Sequence, residues 1–371
     1  MQSARHSEDF RQKAGIGGSH YVVIVETPAA SPQQLMENKP LNRSMIAAKA
    51  LKQDEFYTQL SDIEKELKHY TAHFKGKTVL CNCDDPRVSN FFHYFSYNFE
   101  KLKLRKLITT CYKNDRADLF SRNDSERGIY LEYEGNRTGN RVPNPAEIGI
   151  HELRGDGDFR SEECIKLLKQ ADIVVTNPPF SLFREYVPQL VAMKKKFLVI
   201  ANHNAITYRE IFGLIKDNKI WLGYTHPVAF IVPDHYEMRE VRSWRDENGT
   251  NWRSLGNACW FTNLDIEKRH EELTLYSSYD AKIFPEYDNY DAIEVPRFKE
   301  IPHDYDGVMG VPLTFLEKYN PEQFEIVGSD YEVKQGLLPE LVKANWTGKT
   351  DRGYVKGKRL YARLLIRKRT K

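Results

Sequence analysis

Short apolar runs alternate along the chain with segments whose apolar residues recur at helical spacing. Residues 61–74 place Ile63, Leu67 and Tyr70 on one helical face, and residues 77–83 form a β-rich run. The same succession of helix and strand continues to about residue 264. Strands that alternate with helices of about 10 to 15 residues are typical of βαβ units. The pattern therefore predicts an α/β fold with a mostly parallel, doubly wound sheet.

The predicted elements have distinct signatures. The predicted strands are short, apolar and rich in β-branched or aromatic residues, and comprise residues 77–83, 103–112, 172–177, 196–202, 219–224 and 257–264. The predicted helices share periodic apolar positions, and comprise residues 61–74, 88–102, 162–170, a segment after Phe180, and 208–217. Residues 113–145 form a polar insertion in which residues 128–135 are interpreted as a hairpin. Ligands of such sheets gather at the carboxyl ends of the strands, so a site is expected there.

Three parts of the chain differ in pattern and predict a domain division. Residues 1–48 are mixed and polar, and are interpreted as an irregular extension without an assigned function. Residues 49–264 carry the alternating pattern and predict the catalytic domain. Residues 265–371 lack it, are rich in Tyr, Pro and Asp at first and basic at the end, and predict a smaller second region.

Composition narrows the class of protein. Hydrophobic residues make up 40% of the 371 residues, which is enough for a sizeable core. No apolar run approaches the roughly 18 to 20 residues of a membrane-spanning helix, and the amino terminus has no signal-peptide pattern. Five cysteines are an odd number and few for this length, which favours a reducing compartment. We therefore expect a cytoplasmic protein.

Net charge is only +3, but it is unevenly distributed. Residues 343–371 contain eleven Lys and Arg residues and a single acid, Asp351. A solvated tail is one interpretation of this segment, and contact with phosphates is the other. Residues 359–369 alternate charged and apolar positions, so part of the segment is predicted to be a half-buried strand.

The segment that carries the most specific chemistry is Asn177-Pro178-Pro179-Phe180, which follows a buried strand and precedes a helix. Proline donates no backbone hydrogen bond and keeps the preceding residue out of the α region, so the turn is stiff and extended. It would present the Asn177 side-chain oxygen and the Pro178 carbonyl beside the Phe180 ring. Two acceptors and an aromatic face suit an exocyclic amine on a planar base. Gripping both of its hydrogens lets the nitrogen aim its lone pair at an electrophile.

This tetrapeptide resembles the catalytic motif of amino-methyltransferases that use S-adenosylmethionine. Longer segments resemble, in order, the EcoRI-type adenine-specific DNA modification methylases. The resemblance covers residues 50–328 and is carried by DEFYTQLSDIE, CNCDDPRVSNFFHYF, GDGDFRS, DIVVTNPPFSLFREY, KFLVIAN, KIWLGY, YDNYDAI and GVMGVPLTFLEKYNPEQFEIVG. It implies a Rossmann-like, S-adenosylmethionine-dependent methyltransferase sheet and a C-terminal DNA-recognition region.

The resemblance also implies a cofactor site. Phe56, Tyr57 and Thr58 match the segment that closes over the methionine part of the cofactor. Cys83, Asp84, Asp85 and Pro86 follow the first strand, where the wider superfamily has a glycine-rich loop that is missing here. Asp158 and Phe159 match the motif that holds the cofactor's adenine. The acid that binds the ribose stays open between Asp115, Glu132 and Glu134.

Other chemistries are less well supported. Methylation at cytosine C5 needs a thiolate nucleophile that commonly follows proline, and no cysteine here does so. Cys81 and Cys83 lack a second Cys/His pair, so no metal site is expected. His203 and His235 could accept a proton, but a structural role is the commoner one, and transfer to a neutral amine can release its proton to water.

An adenine inside a duplex must be flipped out before it can react. Phe180, together with Trp260 or Phe261, could hold the flipped base, although core packing is an equally good interpretation of the latter two. Sequence readout is assigned to the region after residue 265. The residues predicted to contact DNA phosphates are basic and lie near the carboxyl terminus, namely Lys356, Lys358, Arg359, Arg363 and Arg367.

The function implied is that of a site-specific DNA adenine N6-methyltransferase that uses S-adenosylmethionine and forms no covalent enzyme intermediate. Double-stranded DNA is the expected partner, and a monomer is compatible with the sequence. The resemblance implies either the modification part of a restriction-modification system, paired with a restriction endonuclease, or an orphan relative without one. Two alternatives stay open. The same tetrapeptide also serves methyltransferases of RNA bases or of protein glutamine, and an inactive DNA-binding relative is the second alternative.

Overall fold

The computed structural model describes residues 56–82, 85–113, 127–135, 143–232, 236–238 and 241–369. Its strands, in chain order, are β1 Thr78–Asn82, β2 Lys106–Cys111, β3 Ile129–Tyr133, β4 Ile150–Glu152, β5 Ile173–Thr176, β6 Lys196–Asn202, β7 Trp221–Leu222, β8 Ala229–Ile231, β9 Ser243–Arg245, β10 Asn251–Ser254, β11 Ala258–Thr262, β12 Ile293–Glu294, β13 Met309–Pro312, β14 Phe324–Ser329, β15 Tyr354–Val355, β16 Lys358–Arg359 and β17 Arg363–Lys368.

The α-helices are α1 Leu60–Leu67, α2 Thr71–Phe74, α3 Asn90–Tyr97, α4 Phe99–Leu102, α5 Pro145–Ile148, α6 Glu162–Gln170, α7 Phe183–Ala192, α8 Arg209–Lys216 and α9 Asp330–Lys334. Short 3₁₀ helices cover Lys68–Tyr70, Phe180–Leu182, His203–Thr207, Glu267–Arg269, Phe298–Glu300, Leu313–Lys318 and Pro339–Leu341. Within the described ranges, no helix is long and apolar enough to cross a membrane.

The largest sheet is mixed and has eight strands in the order β4-β3-β2-β1-β5-β6-β11-β7. The four central strands β2, β1, β5 and β6 run parallel. The strands outside them, β3, β4, β11 and β7, are joined by antiparallel pairings. The prediction of an α/β fold is confirmed, whereas the expectation of a mostly parallel sheet is corrected to a mixed one.

Helices cover both faces of this sheet because side chains alternate in direction along its central strands. On one face, Leu80 and Val174 pack with α6, α7 and α8. On the other face, Val79 and Val175 pack with α1 and α3. The strands are buried on both sides, which explains why they appear in the sequence as continuous apolar runs.

Helix starts follow local capping chemistry. The Ser161 hydroxyl accepts a hydrogen bond from the Cys164 amide at the start of α6, and two acidic residues occupy its first turn. The Ser89 hydroxyl caps α3 in the same way through the Phe92 amide. Ser89 lies in the loop after β1, and Ser161 lies just after residues 155–158. Both caps therefore help to fix loops at the carboxyl ends of the parallel strands.

Smaller sheets complete the fold. Between β7 and β11 the chain forms a three-stranded antiparallel sheet, β8-β10-β9, which the sequence pattern did not predict. After residue 265 it forms the sheet β12-β13-β17-β14 and the hairpin β15–β16. Apolar residues of β13 and β17 join the same hydrophobic cluster as β5 and β6. The described residues belong to one compact unit, so the division after residue 264 stays a prediction about function, and residues 1–48 lie outside the description.

Most predicted elements have counterparts in the structure. The predicted strands at 77–83 and 196–202 correspond to β1 and β6, and the helix at 208–217 to α8. Residues 128–135 differ from the prediction of a hairpin, since they contain the single strand β3, which pairs with β2 and β4.

Candidate active site

The carboxyl ends of the parallel strands meet at one edge of the large sheet. β1 ends at Asn82, β2 at Cys111, β5 at Thr176 and β6 at Asn202. The Thr176 hydroxyl donates to the Asn82 carbonyl, which ties the end of β5 to the end of β1. In open α/β sheets this edge is where ligands bind.

The corner Asn177-Pro178-Pro179-Phe180 leaves β5 at this edge. Pro178 is buried, and the Leu182 amide donates to the Pro179 carbonyl over 2.9 Å. The chain then turns through the 3₁₀ helix Phe180–Leu182 before α7 begins at Phe183. The prediction of a strand, a stiff corner and a helix is confirmed, and the first helical turn is 3₁₀.

The Asn177 side chain is held by residues far away in the sequence. Its amide nitrogen Nδ2 donates to the Phe56 carbonyl over 2.6 Å and to the Thr58 hydroxyl oxygen over 3.2 Å. A carbonyl oxygen can only accept, so the nitrogen and not the oxygen of the amide must face Phe56. Both hydrogens of the amide are therefore used.

The Asn177 oxygen Oδ1 is left over. It is buried and accepts no hydrogen bond from the described part of the chain. Buried polar atoms are nearly always paired, and leaving one unpaired costs about 1–3 kcal/mol. An orphaned acceptor at the ligand-binding edge of a sheet is therefore a strong indication that a ligand supplies the donor.

Phe180 lies in a group of aromatic rings. Its centroid is 5.3 Å from that of Phe56, and the planes are inclined by 44°. Phe56 also contacts Phe230 of β8 and Tyr236. Phe180 is half-buried, so it has a ring surface that can contact a planar ligand.

Residues 155–158, which have the sequence GDGD and are called the GDGD loop, lie against the end of β2. Gly157 has φ of +82°, and a Cβ there would lie 2.5 Å from the Cys111 carbonyl oxygen. The Lys113 amide donates to the Asp156 carbonyl over 2.7 Å. Gly157 is therefore needed for close approach to a strand end, which brings Asp158 and Phe159 to the same edge as Asn177.

Asp158 and Phe159 have protein partners. Arg160 donates to both oxygens of Asp158, over 2.8 and 2.6 Å, and also to Glu185 over 2.7 Å. The hydrogen bond to Asp158 is the main reason why the pKa of Arg160 is raised. Phe159 makes an edge-to-face contact with Tyr186 of α7 at 5.1 Å. The Arg160 amide also donates to Asp158 over 2.8 Å, so the Asp158 carboxylate is held in a fixed orientation at this edge.

The loop after β1 is described only in part. Cys83 and Asp84 lie outside the described residues. Asp85 is buried, and its carboxylate forms a bidentate ion pair with the guanidinium of Arg87. The next residue, Pro86, is also buried. Asp85 also accepts from the Arg87 amide, so its carboxylate organises this loop.

The two described acids that were considered for the ribose, Glu132 and Glu134, are not brought to the site. Glu132 contacts Lys106 over 2.8 Å and Glu134 is 3.9 Å from the same ammonium group, at the amino end of β2. That end is opposite to the one that Asn177 and Asp158 occupy. Asp115 lies outside the described residues.

His203 follows β6 directly and so lies at the site edge. Its ring is half-buried, and burial lowers its pKa, which favours the neutral imidazole. Its Nε2 is buried and has no hydrogen-bond partner among the described residues. His235, the other histidine considered, lies outside them.

Trp260 and Phe261 are not brought to the site as stacking surfaces. Both side chains are fully buried on β11, Trp260 against α3 and Phe261 against Phe183. Neither ring presents a free face in this structure, so the core-packing interpretation accounts for both. β11 is antiparallel to β6 and lies between β6 and the edge strand β7, which the sequence pattern did not indicate.

The basic residues near the carboxyl terminus fall into two groups. Lys356 and Gly357, with φ of +51° and +72°, form the two-residue turn of the hairpin β15–β16, a geometry that matches a type I′ turn. Lys356, Lys358, Arg359 and Arg367 are exposed, although Arg359 also pairs with Asp351 over 2.7 Å.

Arg363 belongs to the interior and corrects one prediction. Its side chain is 12% exposed, and its guanidinium pairs over 2.6 Å with the carboxylate of Glu294, whose side chain is 7% exposed. The hydroxyl of Tyr287 donates to the same carboxylate. Because this bidentate pair occupies the guanidinium, Arg363 supports the C-terminal sheet and does not face phosphates.

Two residues of the site were missed by reasoning from the sequence. Tyr186 donates to the Asn82 side-chain oxygen over 2.5 Å and contacts Phe159, so it links the end of β1 to the GDGD loop. Arg160 orients Asp158. Tyr186 lies on α7, shortly after the corner at residues 177–180. Its contact with Asn82 depends on how α7 packs against β1, which the local sequence does not show.

The sequence is similar to known proteins over most of its length. The sequence matches the family model described as adenine-specific methyltransferase EcoRI over residues 44–369. It is 49% identical over 330 residues to Type II methyltransferase M.EcoRI of Escherichia coli, covering 88% of this chain and 99% of that protein. It is 38% identical to Type II methyltransferases of Mycoplasma genitalium, M.MgeORF184P, covering 86% and 97%, and of Mycoplasma pneumoniae, M.MpnI, covering 87% and 97%. No solved structure matches the chain. The chain therefore belongs to the EcoRI family of adenine-specific methyltransferases.

Proposed function

We propose that Asn177-Pro178-Pro179-Phe180 binds the acceptor adenine and that transfer occurs at its N6 atom. Membership of the family makes the chain a site-specific DNA adenine methyltransferase of a restriction-modification type. The observation that carries the proposed site is the buried oxygen of Asn177, whose amide nitrogen is already fully bonded.

The proposed chemistry compensates for the weak nucleophilicity of the adenine amine. Its exocyclic amine is a poor nucleophile because the lone pair is delocalised into the ring. Asn177 Oδ1 and the Pro178 carbonyl would accept its two hydrogens, which favours a nitrogen whose lone pair is free to attack. The same acceptors stabilise the positive charge that develops on nitrogen, and Phe180 stacks on the base. The proton is then released, and water can accept it, so no strong base is required.

The residues at the sheet edge fit S-adenosylmethionine, which when bound supplies a methyl group on a positively charged sulfur. The fit rests on the chemistry of these side chains: a carboxylate at Asp158 that Arg160 holds at the sheet edge, an aromatic ring at Phe159, and a buried acid-bearing loop at Asp85 and Pro86. We assign the cofactor to these residues together with Cys83 and Asp84. Phe56, Tyr57 and Thr58 stay in this proposal as the segment that closes over the methionine part of the cofactor.

Contact with duplex DNA is assigned to the exposed part of the C-terminal basic segment. Lys356, Lys358 and Arg359 are exposed on the hairpin β15–β16, and Arg367 is exposed on β17. Phosphate contacts of this kind position a protein on DNA without reading its sequence. In this proposal the Rossmann-like part, residues 49–264, performs transfer, and residues 265–371 hold and read the DNA.

The family also bears on where and with what the protein works. Because Type II methyltransferases are its relatives, we propose that a restriction endonuclease shares its recognition sequence. Such a pairing requires access to chromosomal DNA, so we place the protein in the bacterial cytoplasm. A monomer would suffice, since every residue of the proposed site comes from a single chain.

The acceptor can be identified by label transfer. The protein is incubated with S-adenosylmethionine labelled in the methyl group and, separately, with duplex DNA, transfer RNA and cell protein. We expect label in duplex DNA alone, and N6-methyladenine after digestion to nucleosides. Label in RNA or in protein glutamine would move the proposal to another acceptor, and no label with retained cofactor binding would indicate an inactive relative.

A further inference from the structure

The segment Phe56–Thr58 is fixed from two sides. The Tyr57 amide donates to the Ile231 carbonyl over 2.8 Å, and the Ile231 amide donates to the Tyr57 carbonyl over 3.2 Å, so the segment extends the edge of β8. On its other side, the Asn90 side-chain amide at the start of α3 donates to the Thr58 carbonyl over 2.8 Å. The segment is therefore a rigid platform.

This platform presents two acceptors to one side chain. The Phe56 carbonyl and the Thr58 hydroxyl oxygen lie 2.6 and 3.2 Å from the nitrogen of Asn177. Thr58 is 3% exposed, so water does not replace it readily as the partner of that nitrogen. An isolated asparagine amide can rotate by 180° and exchange its oxygen with its nitrogen, because the two ends have nearly the same shape. The Phe56 carbonyl can only accept, so it selects the orientation in which the Asn177 nitrogen faces the platform, and the Thr58 hydroxyl accepts the second hydrogen and strengthens that orientation.

We infer that Thr58 is a positioning residue that acts through Asn177, by holding the amide with Oδ1 toward the acceptor amine. This inference rests on the proposed catalytic role of Asn177. In the rotated orientation the amide would direct N–H groups at the N–H groups of adenine, and the base could not be gripped. Thr58 thus contributes to the transfer step itself, in addition to any contact with the cofactor.

The test compares Thr58→Val with Thr58→Ser. Valine keeps the branched shape and removes the acceptor, whereas serine keeps the acceptor and loses a methyl group. We expect the single-turnover rate of methyl transfer, at saturating cofactor and duplex DNA, to fall about tenfold in Thr58→Val because the Phe56 carbonyl still holds the amide. Thr58→Ser should stay within about threefold of the unmodified protein by the same reasoning.

Thr262→Val is the matched control. The Thr262 hydroxyl is also buried and donates to the Phe197 carbonyl over 2.7 Å. It lies near the amino-terminal end of β6, whereas the proposed site lies at the carboxyl ends of the parallel strands. The Thr262→Val variant should have a lower thermal stability, as Thr58→Val does, and an unchanged transfer rate.

Three results would overturn the inference. The first is an unchanged rate in Thr58→Val. The second is a rate loss that disappears at saturating cofactor while the Kd for S-adenosylmethionine rises, which would make Thr58 a cofactor ligand only. The third is an equal rate loss in the control. Activity of Asn177→Ala would instead refute the proposed site, so the two failures are distinguishable.

Discussion

Replacement of Asn177 by aspartate tests the assigned amide geometry with almost no change of shape. The substitution exchanges the NH₂ group for an oxygen, which would then lie about 2.6 Å from the Phe56 carbonyl oxygen, a repulsive contact. The Thr58 hydroxyl can rotate and donate to the carboxylate, so one of the two interactions is recovered. The net effect is one buried acceptor without a donor.

The magnitude follows from that single loss. An unsatisfied buried polar group costs about 1–3 kcal/mol. If the cost is expressed in the transition state, the single-turnover rate falls by about 10- to 100-fold, since about 1.4 kcal/mol corresponds to a factor of ten. The free energy of unfolding, measured by urea titration, should fall by a similar amount.

The same Asn177→Asp variant should depend on pH in a defined direction. Burial raises the pKa of a carboxyl group, so the introduced carboxyl would have a higher pKa in the folded than in the unfolded protein. Its protonated form can donate to the Phe56 carbonyl. The variant should therefore be most stable, relative to the unmodified protein, below the ordinary carboxyl pKa, and lose that stability as pH rises through the folded-state pKa.

Asn263→Asp is the control for this experiment. The Asn263 amide donates to the Lys195 carbonyl over 2.9 Å at the far edge of the sheet. The Asn263→Asp variant should have a lower unfolding free energy and an unchanged transfer rate. An Asn177→Asp variant that matches the unmodified protein in both rate and unfolding free energy would refute the hydrogen-bond assignment.

Three further predictions concern other parts of the molecule. Phe180→Ala should lower the transfer rate by about 10- to 100-fold with intact cofactor affinity, because one stacked base is worth about 1–3 kcal/mol; unchanged kinetics would exclude stacking. Replacing Lys358 and Arg359 by alanine should reduce the slope of log Kd against log salt by about one for each phosphate that is no longer bound, whereas Arg363→Ala should lower the melting temperature instead. Asp330 is buried and its pKa is raised to about 7 by burial, so unfolding free energy should fall as pH rises from about 4 through 7, and Asp330→Asn should flatten that dependence in urea titrations.

The central fold was predictable from the sequence because its signals are local. Buried parallel strands appear as apolar runs, and the helices on either face keep their own periodicity, so β1, β5, β6 and α8 were predicted close to their observed bounds. The three-stranded sheet β8-β10-β9 was missed because its strands have only three or four residues and mixed polarity. Pairing of such strands depends on tertiary contacts.

The chemistry of the site was predictable only in part. The corner at Asn177 is a local motif, but the orientation of its amide depends on Phe56 and Thr58, about 120 residues earlier in the chain. Likewise, nothing in the residues around Arg363 indicates that Glu294 pairs with it. Partners brought together by topology are not visible in a local pattern, and they decide which charges are free.

The most direct test of the account is the single-turnover rate of methyl transfer by Asn177→Ala at saturating S-adenosylmethionine and duplex DNA. Removing the only side-chain oxygen proposed to grip the adenine amine should abolish measurable transfer while cofactor affinity and DNA affinity stay close to those of the unmodified protein. The variant should still fold, with a lower unfolding free energy because the Phe56 carbonyl and the Thr58 hydroxyl lose their partner. Transfer at the unmodified rate by a folded Asn177→Ala protein would contradict the account.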